Sequence, residues 1–327
     1  MHIGKTFLPH GLMLGPMAGY SDYAMRCIAR ENGAEYTVSE MVSAKALCYH
    51  DKKTPLLARV RAEEMPMAVQ IFGADPGAMA EGAAMVAEGM AGGVMPSAID
   101  INMGCPVPKI VGNGEGSALM TKPALVREIV AAVCRAVRIP VTVKIRSGFD
   151  DTHKNAVEIA ALAEEAGAAA VTVHARTRKQ YYAGKADLSV IADVKRALTV
   201  PVVGNGDILS ADDAVRMKEV AGCDGLMVAR GAIGNPALFR EIICRFDGAP
   251  YTPPTREEKI ETAMKQLRLS IADKGEYIAV RECRKQLLHY ISRLRGAAEI
   301  RARIALAETP EEVEAALTDS LLLAEQS

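Results

Sequence analysis

Eight short apolar runs, separated by segments of helical periodicity, occupy the first three quarters of the chain. They are Leu12–Met17, Tyr36–Ser39, Met67–Phe72, Ala98–Asn102, Val141–Ile145, Ala170–His174, Pro201–Asn205 and Gly225–Val228. Helix starts stand between them. Asp75-Pro76 opens Met79–Met90, Thr121-Lys122-Pro123 opens Ala124–Val137, and Ser210-Ala211-Asp212-Asp213 opens Ala214–Val220. Continuous apolar strands alternating with amphipathic helices predict a parallel sheet covered by helices. Eight such units in roughly 240 residues predict an α/β fold of the (β/α)8 TIM-barrel type, whose usual length is ~250. The alternative, an open doubly wound sheet, lacks a Gly-x-Gly-x-x-Gly turn after the first strand.

A chain of 327 residues leaves room for a second, smaller unit. Gly248-Ala249-Pro250-Tyr251-Thr252-Pro253-Pro254 cannot extend a helix and reads as a linker. From Glu257 the pattern is helical to the end, with breaks near Lys274-Gly275 and Arg295-Gly296. The predicted organisation is a catalytic barrel over 1–248, a Pro-rich linker over 249–254 and a small all-helical domain over 255–327. The formal net charge is −1, so affinity for nucleic acid must come from a local patch. Lys265–Arg303 supplies one, with ten Lys and Arg against four Asp and Glu. Arg281, Arg284, Lys285, Arg293, Arg295, Arg301 and Arg303 are among the ten. Such a run is either a solvated helix face or a surface for a phosphate backbone.

Hydrophobic residues at 50% and charged ones at 24% exclude global disorder. The seven cysteines are odd in number and widely spaced, without a Cys-x-x-Cys pair. Reduced thiols of a cytosolic protein fit that pattern, and a disulfide framework or metal site does not. No segment approaches the ~20 apolar residues of a membrane span, and Pro9, Gly11, Gly15 and Pro16 interrupt the N-terminus. A soluble, cytoplasmic protein is expected.

Barrel enzymes place their chemistry where the strands end. Those ends carry Pro16-Met17-Ala18-Gly19, Ser39-Glu40, Gln70, Asn102-Met103-Gly104-Cys105, Lys144-Ile145-Arg146, His174-Ala175-Arg176, Asn205-Gly206-Asp207 and Ala229-Arg230-Gly231. Cys105 sits on a turn between Gly104 and Pro106, whereas a cysteine meant for packing belongs inside the apolar run. The glycines after strands seven and eight let backbone N–H groups approach a phosphate, and Arg230 adds a charge-assisted bond. Lys144 suits the electron-rich edge of a reduced flavin, and Gln70 can donate and accept at its pyrimidine edge. His174 is either a packed histidine bonded to backbone or a donor to flavin or substrate.

These residues fall within an ordered set of segments spanning nearly the whole chain. The set comprises Pro16–Asp22, Val38–Met41, Val69–Gly73, Asp100–Pro106, Val143–Gly148, His174–Arg178, Gly204–Ile208 and Ala229–Pro236, with Arg284-Lys285-Gln286 and Gly296-Ala297-Ala298 in the tail. In this the chain resembles the tRNA-dihydrouridine synthases, and within them the bacterial B-type branch. The resemblance implies FMN at the barrel mouth, NADPH or NADH as reductant, and reduction of the C5–C6 double bond of specific tRNA uridines. It implies flavin contacts from Pro16, Met17, Ala18, Gln70, Lys144, His174, Asn205, Gly206, Asp207, Ala229 and Arg230. Flavin N5 would deliver hydride to C6 while Cys105 gives a proton to C5. Asn102 would hold the uracil edge, with Arg176 and Arg178 near the target nucleotide. Arg284 and Lys285 would grip the tRNA body, helping to extrude a stacked uridine at a cost of a few kcal/mol. No obligatory protein partner is implied.

Some positions depart from the family pattern. Glu115 stands where a neutral or basic residue is frequent, Ala175 and Ala229 where Gly is frequent, and Gln286 and His289 where His and Trp are common. With no Trp in the chain, Tyr181 and Tyr182 are the remaining stacking rings near the site. Two rival readings compete. One is an FMN barrel acting on a free pyrimidine, like dihydroorotate or dihydropyrimidine dehydrogenase, against which the basic tail argues. The other is a tRNA chaperone without catalysis, against which Cys105, Lys144 and the glycine loops argue.

Overall fold

The apolar runs become strands β1 (Leu12–Leu14), β2 (Tyr36–Val38), β3 (Met67–Phe72), β4 (Ala98–Met103), β5 (Val141–Gly148), β6 (Ala170–Thr177), β7 (Val202–Asn205) and β8 (Gly225–Val228). Each pairs in parallel with the next, and β8 pairs with β1, so the sheet closes into the expected TIM barrel. This computed structural model describes residues 1–292 and 296–323. Arg293 and Arg295 of the basic tail lie outside the described residues. The barrel helices are α1 (Tyr23–Glu31), α2 (Pro76–Ala87), α3 (Pro123–Ala136), α4 (Ala156–Glu165), α5 (Leu188–Ala197), α6 (Ala211–Ala221) and α7 (Leu238–Asp247). β2 is followed instead by a short strand, Val42–Ser43, and two short helices, Ala44–Cys48 and Thr54–Leu57.

Local chemistry explains where boundaries depart from expectation. β1 stops at Leu14, because Pro16 has no N–H for the ladder. β5 and β6 run on to Gly148 and Thr177, pairing past the barrel through an irregularity after Arg146. α2 begins three residues earlier than expected, because the Asp75 carboxylate accepts from Ala78 N and starts the helix at once. α6 likewise starts at Ala211, capped by Ser210, and ends where Gly222 turns left-handed at φ +61°.

Strand periodicity sorts the side chains. The outward set, including Val69, Ile71, Ile99, Ile101, Val143, Ile145, Val171 and Val173, packs under the helices. The inward set is apolar only at the N-terminal end of the barrel. There Met13, Tyr36, Ala68, Ala98, Ala170, Val203 and Met227 meet Ile3 and Leu8. Ile3 belongs to a hairpin of His2–Ile3 and Thr6–Phe7, and it helps plug that end.

Residues beyond the Pro-rich stretch form α8 (Arg256–Lys274), α9 (Glu276–Leu287), α10 (Ala297–Leu306) and α11 (Pro310–Asp319) around a separate core that includes Ile260, Leu267, Val280, Leu287, Ile304 and Leu317. Thr255 with Glu258 and Thr309 with Glu312 form capping boxes that start α8 and α11. The bundle is seated against α1 and the β2 loop. Lys274 Nζ lies 2.7 Å from the buried Asp22, and Asp273 holds Arg59 at 2.7 Å and Arg61 at 2.6 Å. Gly234, after β8, packs so tightly on this bundle that a Cβ there would fall 2.5 Å from the His289 backbone. Its φ of +67° adds a second reason for glycine. Gly234→Ala is therefore expected to cost about 1–3 kcal/mol, read as an earlier urea unfolding transition. An unchanged transition would contradict this close seating.

Candidate active site

At the C-terminal end of the barrel the inward positions turn polar. β3 contributes Gln70, β4 contributes Asp100 and Asn102, and β5 contributes Thr142, Lys144 and Arg146; β6 adds Thr172, His174 and Arg176, and β7 adds Asn205. Register sets Gln70 beside Asp100, Asn102 beside Lys144, Arg146 beside His174, and His174 beside Asn205. The same alternation that buries the outward residues thus gathers one polar layer at the mouth.

Cys105 lies just past β4 on a turn fixed from three sides. Asn102 Oδ1 accepts from Gly104 N at 3.2 Å and from Cys105 N at 2.9 Å. Arg146 Nε donates to Gly104 O at 2.8 Å, and Ser117 donates to Cys105 O through Oγ at 2.8 Å and N at 3.1 Å. Gly116 permits that approach, since a Cβ would meet Cys105 O at 2.9 Å and its φ is +57°. Burial pushes the half-buried Cys105 thiol above its usual range, opposed by the Val107 N–H and the Arg146 charge. At neutral pH it is a thiol and not a thiolate.

Cationic groups dominate the rest of the mouth. Burial lowers Lys144 to about 8; nearby Arg146 adds to the effect and Asp100 opposes it. Lys144 Nζ donates to Asn205 Oδ1 at 3.1 Å. His174 is held well below its ordinary range by burial and then by Lys144, Arg146, Arg176 and Arg230, so its ring is neutral at pH 7. Arg230, about half exposed, places its guanidinium 4.3 Å from the Tyr182 ring centre. This is a site for an anion.

The seventh and eighth loops interlock beside it. Gly206 has φ +137°, and a Cβ there would lie 2.8 Å from Ala186 Cβ; a Cβ on Gly231 would lie 2.2 Å from Ile208 O. Asn205 Nδ2 donates to Met227 O at 2.8 Å. Ala229 leads into the single turn that carries Arg230. Across the mouth, Pro16, Met17 and Ala18 form the loop after β1, where Ser21 Oγ accepts from Met17 N at 2.8 Å and Glu40 accepts from Gly19 N.

Four sequence expectations need correction. Gln70 is not at the end of its strand but inside β3, fully buried, with Nε2 donating to Asp100 at 2.7 Å and Oε1 accepting from Asn102 at 2.7 Å. Arg176, expected beside the nucleotide, is 2% exposed. It binds both oxygens of Asp207 at 2.8 and 2.7 Å and donates to Ala183 O and Gly184 O. The Asp207 carboxylate, which also accepts from Ala186 N, is correspondingly committed to the loop. Arg284 turns inward to donate to Ala307 O, at the end of α10, instead of facing solvent.

Lys285 by contrast is exposed, with Nζ 5.0 Å from the Tyr20 ring centre beside the β1 loop. Arg178 lies between Phe149 and Tyr181, at 5.3 and 5.9 Å, with its buried Nε unpartnered. Of the departures noted above, Gln286 donates to Gly19 O at 3.4 Å, and His289 meets Tyr20 edge-on at 6.3 Å. The residues not assigned a role from sequence are Asp100, Thr142, Arg146 and Ser117. The first three carried a signal, because period two puts them on the same face as Asn102 and Lys144; Ser117 sits in the short helical segment Gly116–Thr121, further along the connection after Cys105, and carried none. Among the described residues no cluster of His, Cys, Asp and Glu is placed to hold a metal, and no helix is long and apolar enough to cross a membrane.

Comparison with known proteins agrees with this arrangement. The family model for dihydrouridine synthase (Dus) matches residues 13–325. A probable tRNA-dihydrouridine synthase of Treponema pallidum is 42% identical over 303 residues, covering 90% of this chain and 88% of the relative. The tRNA-dihydrouridine synthase B of Pseudomonas aeruginosa is 40% identical over 307 residues, covering 93% and 90%. Among solved structures, histamine dehydrogenase from Rhizobium sp. 4-9 shares the fold at TM-score 0.56 and 15% identity, covering 82% of this chain and 50% of that one. The old yellow enzyme homologue from Zymomonas mobilis does so at TM-score 0.55 and 12% identity, covering 79% and 94%. The chain belongs to the dihydrouridine synthase family.

Proposed function

We propose that this protein is a cytoplasmic, FMN-dependent tRNA-dihydrouridine synthase that reduces the C5–C6 double bond of uridines in tRNA, using NADPH or NADH. The observation that carries the reading is Cys105: a protonated thiol on a clamped turn, beside a mouth lined with cationic groups. FMN brings a phosphate and a ring that gains negative charge on reduction, and both suit Lys144, Arg230 and the close-packed glycine loops. The residues present fit the group. The backbone at Gly206, Asp207 and Ala229, with Arg230, would hold the phosphate; Lys144, His174 and the Pro16–Ala18 loop would hold the ring. Bound there, FMN supplies the hydride for C6.

Cys105 gives its proton to C5 and is left as a thiolate, which the nearby Arg146 charge favours until solvent returns the proton. Asn102 uses Oδ1 for the turn and one Nδ2 proton for Gln70; its other meets only the weakly accepting Met41 sulfur, at 3.7 Å, among the described residues. That proton is the one for a uracil carbonyl. The exposed ring of Tyr182 offers a stacking face, and Arg178 a charge for the nucleotide. Residues 1–248 are the catalytic domain and 255–327 the tRNA-binding domain, joined by 249–254. Lys285, projecting toward the mouth, contacts tRNA phosphate.

Cys105→Ala is expected to bind FMN and be reduced by NADPH yet form almost no dihydrouridine; full product formation would remove Cys105 as the acid. Lys144 is charged below about pH 8 and loses that charge as pH rises through it, so FMN affinity, read from flavin fluorescence, should weaken above that pH. Lys144→Met should bind more weakly at neutral pH and lose that inflection. An unaltered profile would detach Lys144 from the flavin. Lys285→Ala should weaken tRNA binding and shrink its log–log salt slope by about one contact's worth without changing flavin content. An unchanged slope would return Lys285 to a solvated face.

A further inference from the structure

We propose that Asp100 is a positioning residue, which fixes through Gln70 and Asn102 the direction of the amides that hold the Cys105 turn. The inference rests on the reading of Cys105 as the proton donor. Asp100 faces into the barrel at 2% exposure, one layer above the apolar Ala98. An ionised carboxylate only accepts, and both of its oxygens do so: Oδ1 from Thr142 Oγ1 at 2.6 Å and Oδ2 from Gln70 Nε2 at 2.7 Å.

A carboxamide is nearly symmetric in shape, so its partners decide which end points where. With Nε2 committed to Asp100, the fully buried Gln70 must present Oε1 to Asn102 Nδ2, at 2.7 Å. Asn102 then has only Oδ1 for the N–H groups of Gly104 and Cys105. The direction runs unbroken from an acceptor-only carboxylate to two donor-only backbone groups. Were Gln70 to reverse, its NH2 would face the NH2 of Asn102, and the turn would lose its support at the residue that bears the thiol. Burial raises Asp100 to about 6, so it is mainly ionised, and acceptor-only, at neutral pH. Asp100 also favours the charge on Lys144, a second route by which it influences the mouth.

The test compares FMN-loaded wild-type protein with Asp100→Leu, Thr142→Val and the double variant D100N/Q70E. Asp100→Leu keeps similar bulk but removes the acceptor that holds Gln70 Nε2, so nothing selects one direction of the Gln70 amide. It is expected to lower kcat for dihydrouridine formation about tenfold or more while KM for tRNA changes little. It should also change, severalfold, the rate at which iodoacetamide labels Cys105 without tRNA, followed by peptide mass spectrometry. In D100N/Q70E the carboxylate moves one link along. The new side chain at position 70 accepts from both neighbours, Asn102 keeps its direction, and both readouts should return toward wild type. Thr142→Val removes a donor without reversing any amide and should leave both nearly unchanged.

Wild-type kcat and labelling in Asp100→Leu, an equal loss in Thr142→Val, or no recovery in the double variant overturns the proposal. A loss that disappears at about pH 6.5, where Lys144 is protonated regardless, assigns Asp100 to the lysine charge alone and overturns it too. Labelling reads the turn without turnover, so it separates failure of this inference from failure of Cys105 as the acid.

Discussion

Side-chain alternation on a closed parallel sheet underlies everything else in this molecule. A strand in a barrel has one face under helices and one inside, and neither meets bulk water along its lower half. Residues such as Val143 and Ile145 must therefore point outward, which sends Thr142, Lys144 and Arg146 inward. Toward the N-terminal end the inward layer is filled by small and apolar side chains and closed by the hairpin that carries Ile3. Polar side chains gather in the upper layer, where Gln70, Asp100, Asn102 and Thr142 form one hydrogen-bonded chain and Lys144 pairs with Asn205. A one-residue slip of β5 would put Lys144 under a helix and Val143 in the mouth.

Energetics separate the contacts that shape the site from those that decorate it. Arg176 and Asp207 are joined by two charge-assisted bonds with the guanidinium buried, and removing one partner from such a pair typically costs about 3–5 kcal/mol. That pair fixes the β6 and β7 loops relative to each other. The Lys265–Glu31 pair between barrel and bundle, with both side chains about half exposed, belongs to a class worth about 0–1 kcal/mol. The bundle is seated instead by the less exposed Asp22–Lys274 contact, the Asp273 cluster and the close approach of Gly234 to His289. Its residues Lys285, Gln286 and His289 all reach the β1 loop, so the surface proposed to hold tRNA is continuous with the loop proposed to hold the flavin.

The strand number, the barrel and the cluster of Cys105, Asn102 and Lys144 are legible in the sequence, because period-two patterning and strand-end placement are local properties. Side-chain destinations are less so. Arg176 and Arg284 look alike as exposed cations in a string of letters, yet each is drawn inward by backbone carbonyls that only the folded loops bring near. Gln70 could be placed at the mouth from its strand, but its commitment to Asp100 and Asn102 depends on register across three strands. The clamp on Cys105 from Arg146 and Ser117 comes from residues 41 and 12 positions away, beyond the reach of any local pattern.

The central claim is that a thiol at this barrel mouth delivers a solvent-derived proton to a uridine held in tRNA. It is tested most directly by incubating the protein, FMN and NADPH with unmodified tRNA in deuterated water and analysing the nucleosides by mass spectrometry and NMR. The account predicts dihydrouridine carrying solvent deuterium at C5. Unaltered uridine despite NADPH consumption, or dihydrouridine without deuterium at C5, would contradict it.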